Sequence, residues 1–224
     1  TQSITVEVAD KGGLKIQQGF SVTINAVNHA PTDISWGVND LGYSTIDENV
    51  ATNPQRRSVG FAKAVDGDTG DTHTYALLNN MGKPFGIDSS TGEVYALPGK
   101  ALDHELQSSF TLTVQVTDSN GETYSENREV RINDLNEKPS SLVITDLRNV
   151  TENTGVQTVA KVKALDPENN AITYSLNGAD ASQFQIDVNG NLRTRRSLNH
   201  EERDSYTFDV VATDTGGLSR SQSL

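Results

Sequence analysis

Residues 110–121 read Phe110-Thr-Leu-Thr-Val-Gln-Val-Thr-Asp118-Ser-Asn-Gly121: apolar and polar side chains alternate, an acid follows, and the chain turns on glycine. A period of two built from Val, Leu and Thr is a strand with one face in a core, and an acid followed by Gly is a hairpin turn. The same phrase occurs twice more, as Ser3-Ile-Thr-Val-Glu-Val-Ala-Asp10-Lys-Gly-Gly13 and as Tyr206-Thr-Phe-Asp-Val-Val-Ala-Thr-Asp214-Thr-Gly-Gly217. Self-similarity of this kind marks a tandem array of small units. The strands that complete the hairpins are expected over Phe20–Ala26 and Glu129–Asp134. In the third copy the chain reaches Leu224 before that strand is complete.

Working outward, Ile24-Asn-Ala-Val-Asn-His-Ala-Pro31 aligns with Ile132-Asn-Asp-Leu-Asn-Glu-Lys-Pro139, and the two prolines lie 108 residues apart. That length suits one β-sandwich of about seven strands. Inside each unit the order of motifs repeats. Asp47-Glu48-Asn49 answers Thr151-Glu152-Asn153, and Asp66-Gly67-Asp68 answers Asp166-Pro167-Glu168. Thr74-Tyr75 answers Thr173-Tyr174, and Phe85 to Asp88 with Gly92 answers Phe184 to Asp187 with Gly190. Leu102-Asp103-His104-Glu105 answers Leu198-Asn199-His200-Glu201. The chain therefore divides into the last hairpin of one unit (1–30), a complete unit (31–138) and a unit without its last strand (139–224). Short strands between turn signals, with no sustained helical period, predict an all-β chain of tandem Greek-key sandwiches.

The net charge of −12 and pI near 4.7 exclude a nucleic-acid partner, because a polyanion requires a basic face and the 18 Lys and Arg form no dense cluster. There is no cysteine, so disulfides and Cys-ligated zinc are excluded. No apolar run approaches the ~20 residues of a membrane span, and no signal peptide precedes the first strand, so the chain is expected to be an excised segment. No nucleophile elbow, P-loop or dinucleotide fingerprint is present, and the acids do not suggest a glycosidase pair across a cleft. His73, His104 and His200 lack metal-binding spacing. Trp36 is expected to pack in or against the core.

These motifs resemble the cadherin repeat. That family carries an acidic x-E-N, here Glu48-Asn49; a D-x-D, here Asp66-Gly67-Asp68; an L-D-R-E, here Leu102 to Glu105; an acid before the last hairpin, here Asp118; and a D-x-N-D-N-x-P linker, here Asp134 to Pro139. The wording of Gly70–Tyr75 is similar to the bacterial branch found in giant surface proteins. The resemblance implies cadherin-like, immunoglobulin-like sandwiches with Ca2+ held at the linkers, an extracellular or cell-surface setting, and no enzymatic activity. At the 134–139 linker it implies carboxylates from Glu48, Asp103, Glu105, Asp134, Glu137, Asp166, Glu168 and Asp214, the amide of Asn136, and the carbonyls of Leu135 and Lys138. Such crowding of acids is unfavourable without a cation, because like charges raise one another's pKa. Calcium takes about six to eight oxygens, which a linker can draw from both flanking repeats, stiffening the joint.

At the first linker Ala26 stands in place of Asp134 and His29 in place of Glu137, leaving Asn28, Asp66, Asp68 and Asp118; partial occupancy is expected there. Two functions remain open on this reading: a rigid calcium-dependent adhesion spacer with a cell-surface protein partner, or a module that binds polysaccharide. Residues 20–27 also match the strand absent after Leu224, so strand exchange between two molecules is a further expectation.

Overall fold

The computed structural model describes residues 2–25, 27–36, 43–48 and 56–224. Ala26 and Asn49, singled out above, lie outside the described residues. Two compact units divide the chain: one of Thr1–Ile46, Ala51–Lys100 and Ser109–Arg131, the other of Asp47–Val50, Ala101–Ser108 and Ile132–Leu224.

In the first unit, β1 (Gln2–Ala9) and β2 (Lys15–Val22) form an antiparallel hairpin whose residues are all exposed. Ile4 lies opposite Phe20 and Val8 opposite Ile16, so one apolar face of this ribbon is solvent-facing. One four-stranded sheet has the order β3 (Asp33–Trp36), β5 (Arg57–Val65), β8 (Glu93–Ala96), β7 (Phe85–Ile87). The other has the order β4 (Tyr43–Asp47), β10 (Thr123–Asn133), β9 (Ser109–Thr117), β6 (Thr74–Leu77). Ile34 and Ala62 from the first sheet meet Val114 and Val116 from the second in one core. The alternation of residues 110–117 is thus a sandwich strand with its valines inward. Trp36 is half-buried at the edge of this core; its indole N–H donates to Glu126 at 2.7 Å and the Arg128 guanidinium lies 4.9 Å from the ring centre.

In the second unit, β11 (Ser141–Thr145), β12 (Thr158–Leu165), β15 (Asn191–Thr194) and β14 (Phe184–Ile186) form one sheet. β13 (Thr173–Asn177), β16 (Asp209–Thr213) and β17 (Ser219–Ser223) form the other. Leu142, Val162, Phe184 and Leu192 of the first sheet pack against Val210 and Ala212 of the second, with Phe184 stacked on Phe208 at 4.3 Å. Both units are therefore all-β sandwiches. Among the described residues no helix is long and apolar enough to cross a membrane.

The hairpins are tighter than the sequence suggests: Ala9 pairs with Lys15 and Thr117 with Thr123, so the second strands begin at Lys15 and Thr123. The reason is the acid at the turn. Asp118 Oδ1 accepts the amides of Asn120 at 2.9 Å and Glu122 at 2.8 Å, and Asp10 Oδ1 does the same for Gly12 at 2.8 Å and Leu14 at 2.9 Å. A side chain that closes the loop lets pairing resume at once. Gly92 and Gly190 recur for a different reason. Their φ values are +73° and +77°, and a Cβ would stand 2.2 Å from Ala62 O and 2.1 Å from Val162 O. Only glycine fits both the left-handed backbone and that approach. The repeated tyrosines make equivalent bonds in the two units, where the amides of Ala64 and Ala164 donate to the Tyr75 and Tyr174 hydroxyls at 3.1 and 2.9 Å.

Candidate metal centre

In the second unit, oxygens of Glu48, Glu105, Asp134 and Glu168 all lie within 4.8 Å of one another. Glu48 is 2% exposed and is held from both sides: Oε2 accepts the His104 amide at 2.7 Å and Oε1 the Leu135 amide at 2.6 Å. It thereby fixes the 102–105 turn and the 134–139 linker around one carboxylate. The His104 ring, 2.9 Å from Ile132 O through Nδ1, buttresses the same turn. Glu168 Oε1 accepts the Glu137 amide at 3.1 Å, while its Oε2 and Asp166 Oδ2 are shielded from solvent with no hydrogen-bond partner. Burial pushes the Glu168 carboxyl above its ordinary pKa, and neighbouring Asp166 adds to this. Glu105 has an exposed side chain overall, yet desolvation of its carboxyl raises its pKa, and the charges of Glu48, Asp134 and Glu137 act in the same direction.

Asp214 and Asn136 extend this arrangement. Asp214 is 5% exposed; Oδ1 accepts the Leu218 amide and Oδ2 accepts from Asn136 Nδ2, both at 2.9 Å. Burial raises its pKa, but the bonds from Asn136 and from the Leu218, Gly217 and Gly216 amides outweigh that and leave it lowered. Asn136 Oδ1 in turn accepts from Asn170 at 3.0 Å, a contact that no motif signals. Asp103 stands apart from the four-acid cluster: its Oδ1 accepts the Leu106 amide at 2.8 Å, closing its own turn. Leu135, Asn136 and Lys138 are exposed, Glu137 is half-buried, and Pro139 is buried at the end of the linker.

The fit to a hard cation follows from the donors. All are oxygens, several are buried, and two buried oxygens lack any partner; a buried carboxylate oxygen without a donor is costly unless a cation meets it. Among these residues there is no thiolate or imidazole that would favour a softer metal.

In the first unit the related residues form a second constellation. Asn28 Nδ2 donates to Asp118 Oδ2 at 2.9 Å, repeating the Asn136–Asp214 contact. That bond, with the turn amides, outweighs burial and holds the Asp118 carboxyl below its usual range. Asp68 accepts the His29 amide at 2.6 Å and faces its ring at 3.3 Å. Asp66 Oδ1 accepts the Asp68 amide at 2.9 Å, and Oδ2 lies 3.0 Å from His73 Nε2. The His73 ring holds the Asp66 carboxyl below its ordinary value. Oxygens of Asp66 and Asp71 and a His73 ring nitrogen lie within 4.8 Å of one another. Asp71 and His73 lie in the Gly70–Tyr75 stretch noted above, but neither belongs to a motif read as metal-ligating, and His73 lacks a familiar metal spacing.

Two sandwiches built on one repeated order of motifs, each with acids collected on the connections between strands, define a class of tandem acidic β-sandwich modules. A family model for the cadherin domain matches residues 43–133 and 147–224, and the chain belongs to the cadherin family. It is 29% identical over 99% of its length to the Fat-like cadherin-related tumor suppressor homolog of Drosophila melanogaster, and 35% identical over 76% of its length to Protocadherin-16 of Rattus norvegicus. It spans only 5% and 6% of those two proteins. Among solved structures, it is similar to the Protocadherin GammaB4 extracellular domain (TM-score 0.62, 22% identity, 99% of this chain and 35% of that one). It is also similar to human Protocadherin-24 EC1-2 (TM-score 0.61, 21% identity, 85% of this chain and 92% of that one). At these identities the likeness to the solved structures is one of fold.

Proposed function

We propose that this chain is a calcium-dependent spacer and adhesion module of an extracellular multi-repeat protein, non-enzymatic, with a cell-surface protein as its partner. Its repeats are read as 31–138 and 139–224, joined in sequence by the 134–139 linker, with 1–30 as the closing hairpin of a preceding repeat. Glu48, Glu105, Asp134, Glu137, Asp166, Glu168 and Asp214, with the Asn136 amide and the Leu135 and Lys138 carbonyls, would hold Ca2+; Asp103 completes the set on rotation away from the Leu106 amide. A bound dication supplies the positive charge that these crowded carboxylates lack. The protein's part is to keep them converged: Glu48 fastens the linker amide of Leu135 to the 102–105 turn, and Asp214 fastens Asn136. Asn28, Asp66, Asp68 and Asp118 would form a weaker site, because Ala26 and His29 contribute no carboxylate.

The observation that carries this reading is the convergence of four acids from separate stretches of chain beside two orphaned buried oxygens. Calorimetric titration with calcium tests it, read together with hydrogen exchange at the 134–138 amides. Calcium uptake with slowed exchange is expected, and Asp134→Ala should abolish both. An exothermic or endothermic uptake unchanged in that variant, or no uptake in millimolar calcium, overturns the ligand assignment.

A further inference from the structure

The connection between β5 and β6 holds two side chains, Asp71 and His73, that the calcium reading does not use. We propose that Asp66, Asp71 and His73 form a binding site for a borderline transition-metal dication of the zinc type, which shares Asp66 with the weaker calcium site and competes with calcium for that carboxylate. One oxygen from each aspartate and one ring nitrogen of His73 already lie within 4.8 Å of one another. The Asp66 side chain is 4% exposed and that of His73 16%, so the ring and carboxylate are largely withdrawn from solvent.

The surroundings aim these atoms. Asp66 Oδ1 is occupied by the Asp68 amide at 2.9 Å, which turns Oδ2 to His73 Nε2 at 3.0 Å. Asp71 Oδ1 accepts from the Thr72 amide at 3.0 Å and from the Ser119 hydroxyl. Its Oδ2 is shielded from solvent and has no hydrogen-bond partner. Asp71 thus brings to the group of three a carboxyl with one shielded oxygen that no donor meets, and such an oxygen is costly unless a cation satisfies it. Gly70, at φ +88°, lets the connection turn back so that residues 71–73 return to Asp66.

The donor set separates this site from the all-oxygen cluster. Calcium is hard and selects carboxylate and carbonyl oxygens, whereas imidazole suits zinc, copper and nickel. One nitrogen and two carboxylates give three protein ligands and leave a fourth tetrahedral position open to water. The Ser119 and Asp68 bonds would hold the ligand carboxylates in place, as outer hydrogen bonds do in metal sites.

The test uses the full 224-residue chain in calcium sufficient to fill the four-acid cluster first. Zinc chloride is titrated calorimetrically, and cobalt chloride is titrated by visible absorption, where strong d–d bands report a tetrahedral site. Wild type is expected to take up zinc and to give the cobalt bands. His73→Gln should weaken zinc at least about tenfold, since losing even an outer hydrogen-bond partner of a ligand has that effect, and should remove the bands. Asp71→Asn is the second variant should the first unfold, with the same expectation, and Glu105→Gln should leave both signals intact. Absence of cobalt bands in wild type, or equal zinc uptake in a folded His73→Gln, overturns the assignment and leaves His73–Asp66 as a hydrogen-bonded pair.

Discussion

Replacing Glu105 by glutamine is expected to stabilise the calcium-free protein and to shrink the gain that calcium brings. A Glu105 oxygen lies within 4.8 Å of oxygens on Glu48, Asp134 and Glu168. Two like unit charges at about 4–5 Å repel by roughly 1 kcal/mol in water, and physiological salt removes about half of that. Three such neighbours make the Glu105 charge cost about 1–2 kcal/mol in a chelator, and the isosteric amide relieves it. The same change withdraws an anionic ligand. Calcium at about 100 times its Kd stabilises by about 2.7 kcal/mol, and a site about tenfold weaker retains about 1.4 kcal/mol at the same concentration. With about 4–8 °C per kcal/mol for a domain of this size, the variant should melt several degrees above wild type in EGTA. Its calcium-induced rise in Tm should be about half of wild type's or less. Calorimetric melts of both proteins at about pH 8, where carboxylates are ionised, read both quantities with and without calcium. A variant that melts no higher than wild type in EGTA, or one with an undiminished calcium increment, refutes the reasoning.

Two further outcomes are expected from the scaffold. Gly190→Ala places a methyl 2.1 Å from Val162 O at φ +77° and endangers the 2.8 Å bond from the Val162 amide to Gly190 O. Left-handed strain of about 1–3 kcal/mol and a lost hydrogen bond of about 0.5–1.5 kcal/mol should together lower stability by about 2–4 kcal/mol in urea melts; a loss under about 1 kcal/mol contradicts the clash. The Ser90 hydroxyl and the Thr91 and Ser90 amides lower the Asp88 pKa from 3.8 to about 2. A depressed carboxyl contributes stability that is present above its unfolded pKa and lost as pH falls through its folded one. The urea midpoint should therefore drop between about pH 4 and about pH 2, and Asp88→Asn should flatten that drop; an identical pH profile in the variant counts against it.

The fold is legible in the sequence wherever geometry leaves one residue type no substitute. Gly92 and Gly190 repeat because a carbonyl oxygen occupies the space of a Cβ, and the alternation at 110–117 repeats because Val114 and Val116 point into a core. The tyrosines of the Thr-Tyr pairs repeat too, but that each hydroxyl receives the amide of Ala64 or Ala164 is a fact of packing that no period encodes. For the site, Glu48, Glu105, Asp134 and Glu168 are visible as motif positions, and their convergence in space follows their place on the connections between strands. Asp103 occupies a motif position as well, yet its carboxylate meets the Leu106 amide, because an acid in a turn competes for the amide three residues on. Asp71 and His73 are not legible in this way, since their spacing matches no metal motif. The turn at Gly70, not a helix face or a strand pleat, brings them to Asp66.

Asp118 and Asp214 each employ both carboxylate oxygens, one within the hairpin loop and one toward the asparagine of a linker. Damage at either position therefore cannot be read as a pure loss of ion affinity, since the loop opens at the same moment. A library variant at 214 will resemble a misfolding lesion even in calcium-free medium, whereas one at 105 shows no such lesion there. Sorting substitutions by whether chelation masks them would separate positions that act through a bound ion, as proposed, from positions that act through the shape of the module.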